Sequence, residues 1–348
     1  MTTIPVEVDD VTPGWLSEVL GAPVRTAEVT TRHSGTTGRV GLALTYEGGA
    51  EGPASVFVKL APFDERQRRF VDAVGMGVAE ARFYGEVAPD VPVRVPRPYF
   101  AATDDDGRYV MVLEDLAASG GRFPTPDDPG IADFAGRLVR ELATLHARYW
   151  ERPELTGALG WVSEGPRLAF EGGGRYIAKA LDAFGDEMGD TFRRLARRYV
   201  DETPAIAELF ADGPHTLVHG DPHLGNLFDD GGRPGFFDWA MVMRRAGMWD
   251  VAYVLCNSVP TDVRRSHEDE WIASYIEALG AGGVHLEPSD AWQQYRLFAV
   301  YSWVAATSTA AAGSRWQAEE VGRGGMERAT RAVEDLASLA RLHELLDR

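Results

Sequence analysis

His219-Gly220-Asp221-Pro222-His223-Leu224-Gly225-Asn226, with Phe236-Phe237-Asp238-Trp239 ten residues further on, carries more chemistry per residue than any other part of the chain. It follows an apolar pair, Leu217-Val218, and encloses the turn Asp229-Asp230-Gly231-Gly232. That pattern predicts strand, loop, hairpin and strand over 216–240. A hairpin brings its ends together, so Asn226 and Asp238, twelve residues apart, are expected to face one point, with Asp221 nearby. An amide oxygen and a carboxylate are hard ligands suited to Mg²⁺ bound together with phosphates. A further carboxylate could accept the proton of an attacking hydroxyl. His-Gly-Asp or Asp-Trp alone arises by chance, and a surface turn with incidental acids is the alternative. The full set in a strand–loop–hairpin–strand context is a much stronger signal.

Upstream, the pattern is β-rich. Thr12 and Pro13 open a short helix stopped by Gly21. Strands are expected over Val24–Thr31, Val40–Tyr46 and Ser55–Leu60 as an antiparallel meander. A helix is expected over Phe63–Val87, weakened by Gly75, Gly77 and Gly85. Two more strands follow, Val95–Ala102 and Tyr109–Leu113. The chain holds only two lysines, Lys59 and Lys179, against 33 arginines. Lys59 stands in Val56-Phe57-Val58-Lys59-Leu60, where a buried ammonium is costly unless paired. Glu80 is the helix acid best placed to meet it, with Glu65 and Glu86 as rivals. An edge-strand lysine in solvent is the bland alternative, made less attractive by the scarcity of the residue. Between the first two strands, the small residues of His33-Ser34-Gly35-Thr36-Thr37-Gly38-Arg39 would let backbone N–H groups approach phosphate.

The His-Gly-Asp-x-x-x-x-Asn run followed by apolar-Asp-Trp resembles the aminoglycoside phosphotransferase and choline kinase-like superfamily, small-molecule kinases with a protein-kinase-like fold. The resemblance implies an α+β, protein-kinase-like bilobal fold. A β-rich N-terminal lobe over 1–116 would precede a mainly helical C-terminal lobe over 117–348. It implies ATP and Mg²⁺ as cofactors and a small-molecule hydroxyl as phosphoryl acceptor. Asp221 would be the catalytic base, His223 a support toward the γ-phosphate, and Asn226 and Asp238 the metal ligands. Lys59 would hold the α- and β-phosphates and Glu80 orient it, with Ser34, Thr36 and Thr37 supplementing the loop amides. Glu114 and Leu116 would offer backbone groups to the adenine. His219 would brace the loop, and Asp250 matches a further family Asp, usually structural. A protein kinase and a nucleotide-binding pseudokinase are the alternatives. No Asp-Phe-Gly and Ala-Pro-Glu pair brackets an activation segment, and no catalytic part of the pattern is missing.

Composition bounds the rest. The 348 residues are 45% hydrophobic and 25% charged, as in a globular chain too long for one ordinary core. Fifty-three acids against 35 bases give a net charge of −18, which disfavours nucleic acid and is compatible with a cationic acceptor. The single cysteine, Cys256, excludes an intrachain disulfide and a cysteine-based zinc site. With no signal-like start, the expectation is a cytoplasmic protein. Leu297–Ser314 has no charged residue across eighteen positions, yet its hydroxyls and glycine favour a buried helix over a membrane span. His146 and Trp150, Trp161, Trp271, Trp292, Trp303 and Trp316 read as packing residues. The pattern fixes neither the acceptor nor the oligomeric state.

Overall fold

The computed structural model describes residues 3–162, 167–315 and 318–347. The chain divides into two compact units, Met1–Arg122 with Gly235–Met241, and Phe123–Pro234 with Val242–Arg348. This differs from the expected boundary after Leu116 in two respects. The connection stays with the N-terminal unit to Arg122, where Ser119 N–H donates to Asp115 O (2.9 Å) and Gly121 N–H to Leu116 O (2.8 Å). Segment 235–241 also joins that unit. Gly235 bridges to Arg94, Phe236 N–H donates to Arg94 O (2.9 Å), and Trp239 stacks on Phe83 with centroids 3.9 Å apart. Backbone pairing and aromatic burial outweigh chain order here.

In the N-terminal unit, α1 (Pro13–Leu20) is capped by Thr12, whose Oγ1 accepts from Trp15 N–H, and ends at left-handed Gly21. Five strands follow in part: β1 (Val24–Ser34), β2 (Gly38–Tyr46) and β3 (Ser55–Leu60), the expected meander. Next come α2 (Glu65–Val74) and α3 (Met76–Arg82), then a π-helical turn over Phe83–Val87. The single helix expected over 63–87 is thus broken at Gly75, whose φ of 75° ends one helix and opens the next. The last two strands are β4 (Pro98–Thr103) and β5 (Tyr109–Glu114). The sheet order is β1-β2-β3-β5-β4, so β5 is inserted beside β3. Val56, Val58 and Leu60 pack with Leu42, Val112 and Leu16 on one face. Strand alternation therefore sends Lys59 to the opposite face.

In the C-terminal unit, α4 (Ile131–Tyr149) buries Phe134, Leu138, Leu142 and Leu145 along one face. Helix α5 (Arg167–Ala211) is broken at Gly189, with φ 89°. Strand β6 (Thr216–Val218) leads through a short 3-10 turn (Leu224–Asn226) to the hairpin of β7 (Leu227–Asp230) and β8 (Arg233–Phe236). The expected closing strand before Ala240 is instead a 3-10 turn at Trp239–Met241, within the segment that joins the N-terminal unit. The pairing partner of β6 comes later, as β9 (Met243–Arg245). Four helices then follow: α6 (Met248–Asn257), α7 (Thr261–Ala281), α8 (Pro288–Ala312) and α9 (Glu319–Asp335). The last helix is α10 (Ser338–Leu346).

Between α9 and α10 the chain turns at Ala337 (φ 48°), where Arg296 donates to the carbonyls of Leu336 (2.8 Å) and Ala337 (3.2 Å). The uncharged stretch from Leu297 lies in α8 and buries Phe298, Val300 and Trp303. Among the described residues no helix is long and apolar enough to cross a membrane. Trp271 and Trp303 are buried, Trp150, Trp161 and Trp292 are half-buried, and Trp316 lies outside the described residues.

Gly77 sets how closely α3 approaches the sheet. A Cβ there would stand 1.9 Å from Tyr109 Cζ. Gly77→Ala is expected to lose about 1–3 kcal/mol of stability through overpacking, measured as a shift of the urea midpoint. Gly14→Ala, in α1 with its nearest neighbour 3.8 Å away, is the matched control and should not lower that midpoint.

Candidate functional site

The residues singled out in the sequence resolve into two clusters, one within each unit. In the N-terminal unit the centre is Lys59, 4% exposed on β3. Its Nζ donates to Glu80 Oε1 at 2.5 Å and to Asp238 Oδ1 at 3.2 Å. Glu80 is fully buried on α3, and its Oε2 has no hydrogen-bond partner among the described residues. The rival acids point elsewhere: Glu65 pairs with Arg69 and Glu86 with Arg82, both on the surface. Burial raises the Glu80 carboxyl to about 7, the Lys59 charge opposing and the Asp238 charge adding to the rise.

Asp238 adopts a left-handed backbone, φ 62°. Its neighbour Trp239 is fully buried, stacks on Phe83 and donates Nε1–H to Phe236 O (3.3 Å). The Asp-Trp pair therefore works as an anchor and a carboxylate: the indole fixes the chain just beyond α3, and the strained φ turns the acid toward Lys59. Sequence reasoning gave no role to Arg39, the second residue of β2. The register sets it opposite Lys59, and its Nη2 donates to Asp238 Oδ2 at 2.9 Å.

The loop before Arg39 is tightly held. Ser34 Oγ accepts from Phe63 N–H (3.0 Å), Gly35 N–H donates to Thr37 O (3.0 Å), and Thr37 is fully buried with Oγ1 accepting from Arg39 Nε (3.3 Å). Thr36 is half-buried. Near the end of β5, the Glu114 carboxylate accepts from Arg94 Nη2 (2.8 Å) and Arg97 N–H (3.0 Å), which holds its pKa below the ordinary value despite partial burial. The Glu114 N–H donates to Arg97 O (2.9 Å), so of its two backbone groups the carbonyl is the one to consider for a base. Leu116 is buried, with its carbonyl accepting from Gly121.

In the C-terminal unit the centre is Asp221. Asn226 Nδ2 donates to its carbonyl (2.9 Å) and to Oδ2 (3.2 Å), leaving Asn226 Oδ1 as the atom a cation could take. His223 Nε2 lies 3.7 Å from Asp221 Oδ2, while its Nδ1 accepts from Gly225 N–H (3.0 Å). His219 accepts at Nδ1 from Asp221 N–H (3.3 Å). Asp250, fully buried on α6, accepts from His219 N–H (2.7 Å) and Gly220 N–H (2.9 Å), and lies 3.4 Å from His146 Nε2. It fixes the backbone just before Asp221. Tyr253, three residues further along the same helix, donates to Asp221 Oδ1 at 2.6 Å. Burial and the Asp221 charge push its phenol well above the ordinary value, so it stays a donor. The only sequence signal for Tyr253 was its place in the Trp249-Asp250 helix.

The Asp238 carboxylate in one unit and Asn226 Oδ1 in the other are each hard oxygen donors of the kind a divalent cation takes. Among the described residues no three His, Cys, Asp or Glu side chains gather into a metal cluster, so an ion here would complete its shell with phosphate and water, as Mg²⁺ does.

A family model described as the phosphotransferase enzyme family matches residues 41–298. APH(2'')-IIIa, solved with GDP and kanamycin, is similar in fold with a TM-score of 0.53 at 14% identity, covering 88% of this chain and 94% of that one. The choline kinase LicA of Streptococcus pneumoniae gives a TM-score of 0.51 at 16% identity, covering 95% and 99%. A choline kinase of Cryptosporidium parvum gives 0.52 at 11%, covering 97% and 94%. These likenesses establish a protein-kinase-like α+β fold, β-rich at the N-terminal side and mainly helical beyond. No curated protein sequence matches the chain.

Two outcomes follow from the geometry. Asp250→Ala would leave two buried backbone N–H groups without their charged acceptor, and is expected to cost about 2–5 kcal/mol in denaturant unfolding. The Glu80 carboxyl, raised above its ordinary 4.5 to about 7, holds its proton more tightly in the folded chain. Its contribution to stability is full below pH 4.5 and is lost as pH rises to about 7. Urea midpoints of the wild type relative to Glu80→Gln should fall across that window.

Proposed function

Since the chain belongs to the phosphotransferase enzyme family, we propose that it transfers the γ-phosphoryl group of ATP to a hydroxyl of a small molecule. The observation that carries this reading is the Lys59–Glu80–Asp238 cluster. A strand lysine, a helix glutamate and a carboxylate fixed after the hairpin are the parts that kinases use to place a triphosphate and its metal. Lys59 holds the α- and β-phosphates, and Glu80 keeps its ammonium from swinging. Asp238 and Asn226 would hold Mg²⁺, which would supply charge neutralisation to the phosphates. Loop amides near Gly35, with the hydroxyls of Ser34, Thr36 and Thr37, line the phosphate path, and the Glu114 carbonyl and Leu116 N–H meet the base.

Asp221 orients the acceptor hydroxyl and takes its proton as the new oxygen–phosphorus bond forms. The bond from phosphorus to the β–γ bridging oxygen breaks, and ADP leaves. Tyr253 and Asn226 hold the Asp221 carboxylate in one rotamer. Its side chain is 32% exposed. His223 lies beside it and supports the γ-phosphate. Positioning and charge neutralisation provide most of the acceleration in this chemistry.

The acceptor class we assign is a hydroxylated amine. The net charge of −18 favours approach of a cation, and the similar folds include a choline kinase and an enzyme solved with kanamycin. The setting is the cytoplasm, where ATP and Mg²⁺ are at hand.

Release of ADP, or of GDP when GTP is supplied, is to be followed across a library of amino alcohols, aminoglycosides and uncharged alcohols with Mg²⁺ present. Stimulation by members of the amine classes is expected. With an identified acceptor, Asp221→Asn should lower kcat by about 10²-fold or more and leave nucleotide affinity nearly unchanged. Full activity in that variant would remove Asp221 as the base. Tight nucleotide binding without turnover on any alcohol would make the chain a nucleotide-binding pseudoenzyme.

A further inference from the structure

Asp238 is met by two cations of different character. Lys59 is buried and tied to Glu80, and its Nζ takes Oδ1 at 3.2 Å. Arg39 takes Oδ2 at 2.9 Å, yet its side chain is 35% exposed and its bond from Nε is a neutral one, to Thr37 Oγ1 at 3.3 Å. The backbone carrying Arg39 is pinned. It pairs with Lys59 across the sheet, and preceding Gly38 sits where a Cβ would be 2.6 Å from Ala61 O. The carboxylate is pinned as well, by the burial of Trp239. The mobile partner is the guanidinium at the end of a long, half-exposed stem.

A divalent cation that uses Asp238 must share a carboxylate on which Arg39 already sits, and a guanidinium beside a doubly charged ion is repelled. Arg39 must therefore leave as the metal arrives. A free ion offers its displaced N–H donors nothing in return. A metal–nucleotide complex brings phosphate oxygens, which the planar guanidinium fork binds well.

We propose that Arg39 occupies the metal's seat on Asp238 in the empty protein and passes to the phosphate oxygens when metal and nucleotide arrive together, so that the site admits the complex and resists the free ion. The inference rests on the functional reading that makes Asp238 a metal ligand. It adds a residue that selects what fills the site and in what combination.

Mn²⁺ serves as the probe, followed by electron paramagnetic resonance without nucleotide and by calorimetry with a non-hydrolysable ATP analogue. Arg39→Met keeps the apolar stem and removes the charge, and Arg39→Gln provides a second variant of different packing. Both should bind free Mn²⁺ about tenfold more tightly than wild type and the Mn²⁺–nucleotide complex about tenfold more weakly, the scale of one charge-assisted hydrogen bond. Asp238→Asn should abolish the gain for free Mn²⁺ when combined with either. Nucleotide binding that is intact in wild type, with free-ion affinity unchanged in both arginine variants, overturns the role of Arg39 alone. Two affinities moving in the same direction do the same. Absence of any Mn²⁺–nucleotide binding to the wild type overturns the functional reading, and this inference with it.

Discussion

An ammonium group inside a protein must be met by anions, and much of the N-terminal unit is arranged so that Lys59 is met twice. The sheet's alternation places it on the face away from the apolar cluster of Val56, Val58 and Leu60. Gly77 lets α3 come close enough for Glu80 to reach it. The buried indole of Trp239 brings Asp238 to its other side. None of this is a favourable way to build a core. Taking charges out of water costs several kcal/mol per ion, and an apolar replacement is often at least as stable. The raised Glu80 carboxyl, with one oxygen unpartnered, records that cost. A buried ion pair maintained against such a penalty is the kind of feature that marks a working site.

The C-terminal unit meets a related problem with backbone instead of side chain. A loop that must present Asp221 to solvent cannot use strand pairing to satisfy its own N–H groups. Asp250 supplies the missing acceptors for His219 and Gly220, and His146 and the ring stack of Trp249 on Tyr301 surround that helix. The same helix then sends Tyr253 to the far oxygen of Asp221. One rigid element thus sets the loop's path and the carboxylate's rotamer.

The parts of this arrangement that were legible in the sequence are those whose chemistry is unusual for their surroundings. A lysine in an apolar strand of a chain that otherwise uses arginine drew attention to Lys59, and the geometry brings Glu80 to it in preference to Glu65 or Glu86. The spacing from His219 to Asp238 survives as strand, turn and hairpin. What stayed hidden depends on distant partners. Arg39 is one arginine among 33 until the register sets it across from Lys59. Tyr253 lies in a run of apolar residues that reads as packing alone. The break at Ala337 carries neither glycine nor proline; Arg296, forty residues earlier, takes the carbonyl of Leu336 and shares that of Ala337 with Arg341 N–H. The placement of 235–241 is decided by Arg94 and Phe83, which no local pattern connects to it.

The near-total replacement of lysine by arginine has a practical side. Lys179 spends its amine on the carbonyl of Ala311, and Lys59 is enclosed by carboxylates. Reagents that acylate side-chain amines would therefore find one exposed lysine, Lys179, and one enclosed lysine, Lys59. A tag at Lys59 would be read against a single exposed reference, Lys179, and the ratio of the two yields would act as a gauge of how often that interior opens.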